Sequence, residues 1–166
     1  MLFLAWLFIF PKNCIAGNAP VIINEVMYNP SGGDNNSTDS KTYEWIELKN
    51  ISFESQNISS WILRAGTYYA LSAITSPIPP SGFVIVHEGI GTNKNTDFSD
   101  GDTAYLYMNK TGSQLGDSYD DVSLYNATTK SKDTIVDYVD YALRAPSSAS
   151  SCANSFACSI ALLARA

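Results

Sequence analysis

The sequence predicts an all-β chain folded as an antiparallel β-sandwich or barrel, and three observations point there. Apolar or alternating runs of strand length recur along the 166 residues. The spacers between them are rich in Gly, Pro, Asn, Asp and Ser, as in "NPSGGDNNSTDS", "SPIPPSG" and "NKTGSQLGD". No window carries a sustained helical period with a cap at its start, and short strands without intervening helices fit a sandwich or barrel. A 45% hydrophobic fraction with ten Tyr residues excludes a disordered chain and favours strands. The length fits one domain with a core of its own.

The chain opens on "MLFLAWLFIF", apolar throughout, followed by "PKNCIAGNA". This resembles a secretory signal peptide, with cleavage expected after Ala16 or as late as residue 19, and with the domain occupying 20–166. Cys14 falls at the third position before that cut, and no Lys or Arg precedes the apolar run, which departs from the usual pattern. The run breaks at Pro11, short of the roughly 20 apolar residues a membrane helix needs, so no span is expected after cleavage. A retained anchor is the alternative. Loss of Lys12 takes the net charge from −6 to −7, and no basic stripe appears, so nucleic acid is excluded as a partner class. Export makes the localisation secreted or cell-surface.

Strands are expected over residues 21–28, 43–50, 60–64, 68–71, 83–87, 104–108, 121–125, 135–141 and 159–163. "SDGDTAYLYMNKTG" is echoed by "YDDVSLYNATTK", which reads as two similar hairpin edges rather than a solenoid.

The run of motifs "IINEVMYNP", "YEWIELKNIS", "SSWILR", "IPPSGFVIV", "DDVSLYN" and "DTIVDYVDY", closed by "SIALL", resembles the lamin-tail domain family from about Val21 to Leu163. The resemblance implies an immunoglobulin-like sandwich used as a non-catalytic interaction or surface module, of the exported microbial type found alone or beside hydrolase and adhesion domains. It makes Asn24, Glu25, Glu44, Trp45 and Glu47 structural signatures of two strands. The long stretch over residues 91–119 and the link over 145–158 depart from the minimal family pattern and are expected on loops, where binding specificity resides.

Several constellations invite chemistry. Glu25, Glu44 and Glu47 could supply the paired carboxylates of a glycosidase; the simpler reading is that they hydrogen-bond strand donors, with Glu47 on the face of Trp45 and opposite Ile46 and Leu48. Asp97, Asp100 and Asp102, with Ser99, have a spacing that could gather oxygens around Ca²⁺, although Asp and Gly are also what a tight turn requires. No other cofactor is expected. "GDS" at residues 116–118 and the lone His87 lack the elbow and context of a serine hydrolase. Cys152 and Cys158 form an even pair after export and read as a disulfide closing a short loop. Asn35, Asn36, Asn50, Asn57, Asn109 and Asn126 each begin N-x-[ST] and are candidate glycosylation sites. Tyr105, Tyr107, Tyr138 and Tyr141 are candidates for a contact face, half of them expected inside. Together these observations point to a module that binds protein or carbohydrate at the cell surface; the alternative is a carboxylate-dependent hydrolase or an accessory domain of one.

Overall fold

Alternation of side chains decides what each strand buries. The computed structural model describes residues 19–28 and 44–142, and within them eight strands form two four-stranded sheets. β1 (Val21–Met27), β2 (Trp45–Asn50), β5 (Phe83–His87) and β6 (Thr103–Tyr107) make the first sheet, in the order β1-β2-β5-β6. β4 (Thr67–Ala70), β3 (Ile62–Ala65), β7 (Tyr119–Tyr125) and β8 (Ile135–Ala142) make the second, in the order β4-β3-β7-β8. Eight expected strands are present to within a few residues; the ninth, over 159–163, lies outside the described residues, as do Cys152, Cys158, Asn35 and Asn36. Among the described residues there is no helix long and apolar enough to cross a membrane.

The core lies between the sheets. Ile46 and Leu48 of β2, Val84 and Val86 of β5 and Ala104 and Leu106 of β6 face Leu63, Val122, Leu124 and Val139 of the second sheet, all of them buried. β1 interrupts its own alternation: a bulge between Ile23 and Glu25 leaves Asn24 and Glu25 both half-buried before Val26 turns inward again. At that irregularity the Ile23 N–H donates to Asp137 Oδ2 of β8 at 2.7 Å, tying one sheet to the other. Asp137 is itself buried, so the "VDYVDY" motif carries a charged strut between sheets rather than a surface acid.

One pairing departs from the all-antiparallel expectation, because β6 runs parallel to β5. The chain must cross from one end of β5 to the other, and residues 88–102 make that passage. Asn95 organises it, its amide donating to the carbonyls of Asp100, Gly101 and Thr103 and its Oδ1 accepting from the Asp100 N–H. The two echoed segments accordingly lie in different sheets and are not equivalent hairpin edges: β6 lies parallel beside β5, while β7 pairs antiparallel with β8.

The β3–β4 hairpin turns on Gly66, whose φ is +59°. A Cβ there would sit 1.8 Å from the Gln114 carbonyl oxygen, so only glycine admits the 113–116 loop against this turn.

Candidate functional site

Residues that face away from the core on the first sheet fall into three rows across four strands. Strand pairing places Met27, Trp45, His87 and Tyr107 in one row and Glu25, Glu47, Ile85 and Tyr105 in the next. The third holds Ile22, Lys49, Phe83 and Thr103. All twelve are half-buried. The His87 ring stacks on Tyr107 with centroids 4.8 Å apart and lies 6.4 Å from Tyr105, and the Lys49 ammonium sits 4.9 Å from the centre of the Phe83 ring. The loop after β5 closes the margin, where Gly91 is so close to Tyr107 that a Cβ would overlap its ring.

Glu25 and Glu47 are cross-strand partners in the middle row, and Asn24 reaches across the bulge to donate to Glu47 Oε1 at 2.6 Å. Burial, and then the charge of Glu47, raises the Glu25 carboxyl above its ordinary value. The motif residues Asn24, Glu25, Trp45 and Glu47 thus share one outward face. Glu44 does not. By the period of two it falls with Ile46, Leu48 and Asn50 on the inward side, and it is fully buried. Its Oε1 accepts from the Ser113 hydroxyl at 3.1 Å and its Oε2 from the Gln114 N–H at 3.1 Å. Its neighbour there, Glu88, is a buried acid that sequence reading missed; alternation of Val84, Val86 and Glu88 along "FVIVHE" was the available signal.

The remaining candidates separate. Asp97 Oδ1 accepts from the Ser99 N–H and hydroxyl, bonds that hold its carboxyl below the usual range, with the hydroxyl the larger cause. Asp100 bonds through its backbone to Asn95, and Asp102 accepts from the Thr103 hydroxyl at its other end. These acids serve a turn and do not converge; among the described residues no three His, Cys, Asp or Glu side chains gather as metal ligands. Asp97, Asp100 and Asp102, the residues expected to gather around Ca²⁺, lie in this turn. Asn50, one of the glycosylation candidates, is fully buried: its NH₂ lies 2.8–3.0 Å from the carbonyls of Glu54, Ile78 and Pro79, and its Oδ1 accepts from Ser52. No glycan can be attached to that amide in the folded domain. Asn57, Asn109 and Asn126 are exposed. Tyr105, Tyr107 and Tyr138 point outward, whereas Tyr141 is buried, with its hydroxyl donating to the Gly116 carbonyl at 3.1 Å.

Two sheets packed face to face around a single apolar layer, with an aromatic outer face on one of them, define an immunoglobulin-like β-sandwich. The family model for the Lamin Tail Domain matches residues 16–142, and the chain belongs to that family. The match ends with β8, so the apolar "SIALL" and the cysteine pair lie beyond it. No curated protein matches the chain. Membership makes this a domain of a non-enzymatic type suited to interaction with other proteins.

Proposed function

We propose that the chain is a secreted or cell-surface module, without catalytic activity, that binds a protein partner on the outward face of the first sheet. The observation that supports this most is the row Trp45, His87 and Tyr107 on three adjacent strands, with Glu25, Glu47 and Tyr105 in the next row and Lys49 and Phe83 in the third. Trp and Tyr in a half-buried patch with charge at its margin is the composition of an interaction hot spot. Glu25 and Glu47 serve as polar contacts within the face, with Glu47 oriented by Asn24, rather than as an acid/base pair. Export accounts for the apolar start of the chain, for a Cys152–Cys158 disulfide and for glycans at the exposed sequons Asn57, Asn109 and Asn126.

The test is binding of the immobilised full chain to surface and secreted proteins of its producing cell, with a glycan array in parallel. Saturable protein binding, weakened at least about tenfold by Trp45→Ala and left intact by Tyr68→Ala on the second sheet, is expected. Glycan binding lost in Trp45→Ala would replace the partner class with carbohydrate. Release of sugar from the array, abolished by Glu47→Gln, would overturn the non-catalytic reading. Intact mass of the chain recovered outside the cell tests export directly, through loss of the first sixteen residues.

A further inference from the structure

Four strands end the two sheets, β1 and β6 in the first and β4 and β8 in the second. An edge strand carries a row of backbone N–H and C=O groups in need of partners, and folded proteins close such rows with bonds, charges, proline or bulges. Three of these edges are closed. Along β6 the Tyr105 N–H donates to the Lys94 carbonyl, the Tyr105 carbonyl accepts from the Lys94 N–H, and the Tyr107 N–H donates to Asn93 Oδ1. β1 is broken by its bulge, and its Ile23 N–H donates to Asp137 Oδ2. The Tyr138 N–H of β8 donates to the other oxygen of the same carboxylate, so Asp137 serves both edges.

β4 has none of these devices. The Leu71 N–H donates to the Trp61 carbonyl, which sets the parity of the β3–β4 ladder: the backbone groups of Thr67 and Tyr69 face β3, and those of Tyr68 and Ala70 face away. Among the described residues nothing bonds to the outward N–H or carbonyl of Tyr68 or Ala70. Both residues are exposed, Tyr68 at 51%. The strand "TYYA" carries no charge, no proline and no bulge. It is also fixed in place, since the Tyr69 hydroxyl donates to the Tyr107 carbonyl of the first sheet at 3.2 Å.

A second copy of the same strand fits this edge. Turning one β4 antiparallel onto another about a twofold axis at Tyr69 sets Tyr68 of each copy opposite Ala70 of the other, with the backbone groups of both pairs pointing across the seam. The side chains agree with that register, because on the exposed face each Tyr68 ring meets the methyl group of an Ala70. The cations about Tyr68 are already engaged, Lys130 over its ring at 4.9 Å and Arg64 in an ion pair with Asp121, so charge does not oppose the approach. We propose that β4 pairs with β4 of a second copy of this chain, joining their β4-β3-β7-β8 sheets into one continuous sheet. The contact is short, so the dimer is weak and reversible. It does not rest on the partner-binding face, which lies on the other sheet.

Sedimentation equilibrium of the full chain from about 10 µM to about 1 mM, where a small interface associates, tests this. The average mass should rise towards twice that of one chain. Amide exchange read residue by residue should slow by about fivefold over that range at Tyr68 and Ala70, whose N–H groups cross the seam, and stay unchanged at Tyr69. Ala70→Pro removes one crossing donor and leaves the β3 ladder intact, so it should hold the chain monomeric. Tyr68→Glu sets an acid into the seam from each copy and should do the same without changing the backbone. Trp45→Ala, on the first sheet, should dimerise as the parent does. A single-chain mass at every concentration would overturn the proposal, and so would a dimer that persists in both β4 variants. Protection of Tyr68 and Ala70 that is independent of concentration would overturn it too, by placing a segment of the same chain on the edge.

Discussion

Glu44 and Glu47 lie three residues apart on one strand and share almost nothing else. Glu47 faces outward beside Trp45, takes a hydrogen bond from Asn24 and sits opposite Glu25 on the outward sheet face. Glu44 faces inward, fully enclosed, opposite a second buried acid, Glu88. One strand therefore supplies an aromatic outward face with one set of side chains and a core ending in buried acids with the other. A carboxylate's role is set by which side of the sheet its parity gives it, before any partner is considered.

The comparison can be broken hardest from the inside. Leu48→Ala removes a fully buried side chain from the inward set and should cost about 2–5 kcal/mol in urea unfolding. A loss below about 1 kcal/mol would mean that the two sheets are not packed on Leu48 as described. Asp137→Ala comes next, because it removes the charged acceptor of a buried N–H and parts β1 from β8. A loss of about 1.5–3 kcal/mol is expected, with Asp137→Asn recovering some of it.

The outward set should behave oppositely. Trp45→Ala should leave the unfolding free energy within about 1 kcal/mol of the parent while weakening partner binding, so stability and function separate between the two faces of β2. Equal losses of both would erase the distinction between faces.

The smallest effect concerns pH. Glu25 has a folded-state pKa above its ordinary value of 4.5, so its protonated form is favoured on folding. Its stabilising contribution is therefore present below that value and declines as pH rises through the raised one. Glu47→Gln removes the like charge but not the burial that is the larger cause, so this decline should shrink without vanishing in stability measured from pH 4 upward. An unchanged profile would show that Glu47 does not act on Glu25.

Most of the sandwich was legible in the sequence because period-two alternation and turn residues are local signals. "WIELKN" carries its inward Ile46 and Leu48 and outward Trp45 and Glu47 in plain order, and the breakers on either side bound the strand. The parallel pairing of β6 with β5 was not legible, since nothing in "TAYLY" distinguishes a parallel neighbour from an antiparallel one. Its direction follows from the crossing path that Asn95 stabilises. The six sequons looked alike for the same reason. The amide of Asn50 is spent on carbonyls from 4 to 29 residues away, and that enclosure exists only after the turn before β5 has folded against it.

What the sequence determined by itself was the alternation: which residues are strand, which side of each strand is apolar, and the motifs that mark a lamin-tail domain. What only the tertiary structure decided was juxtaposition across long separations. It set Asp137 against Ile23, raised the Trp45, His87 and Tyr107 row from three strands, and brought Glu88 opposite Glu44. The physical reason is that a strand's own hydrophobic pattern fixes its faces, whereas its neighbours are chosen by the packing of the whole sheet.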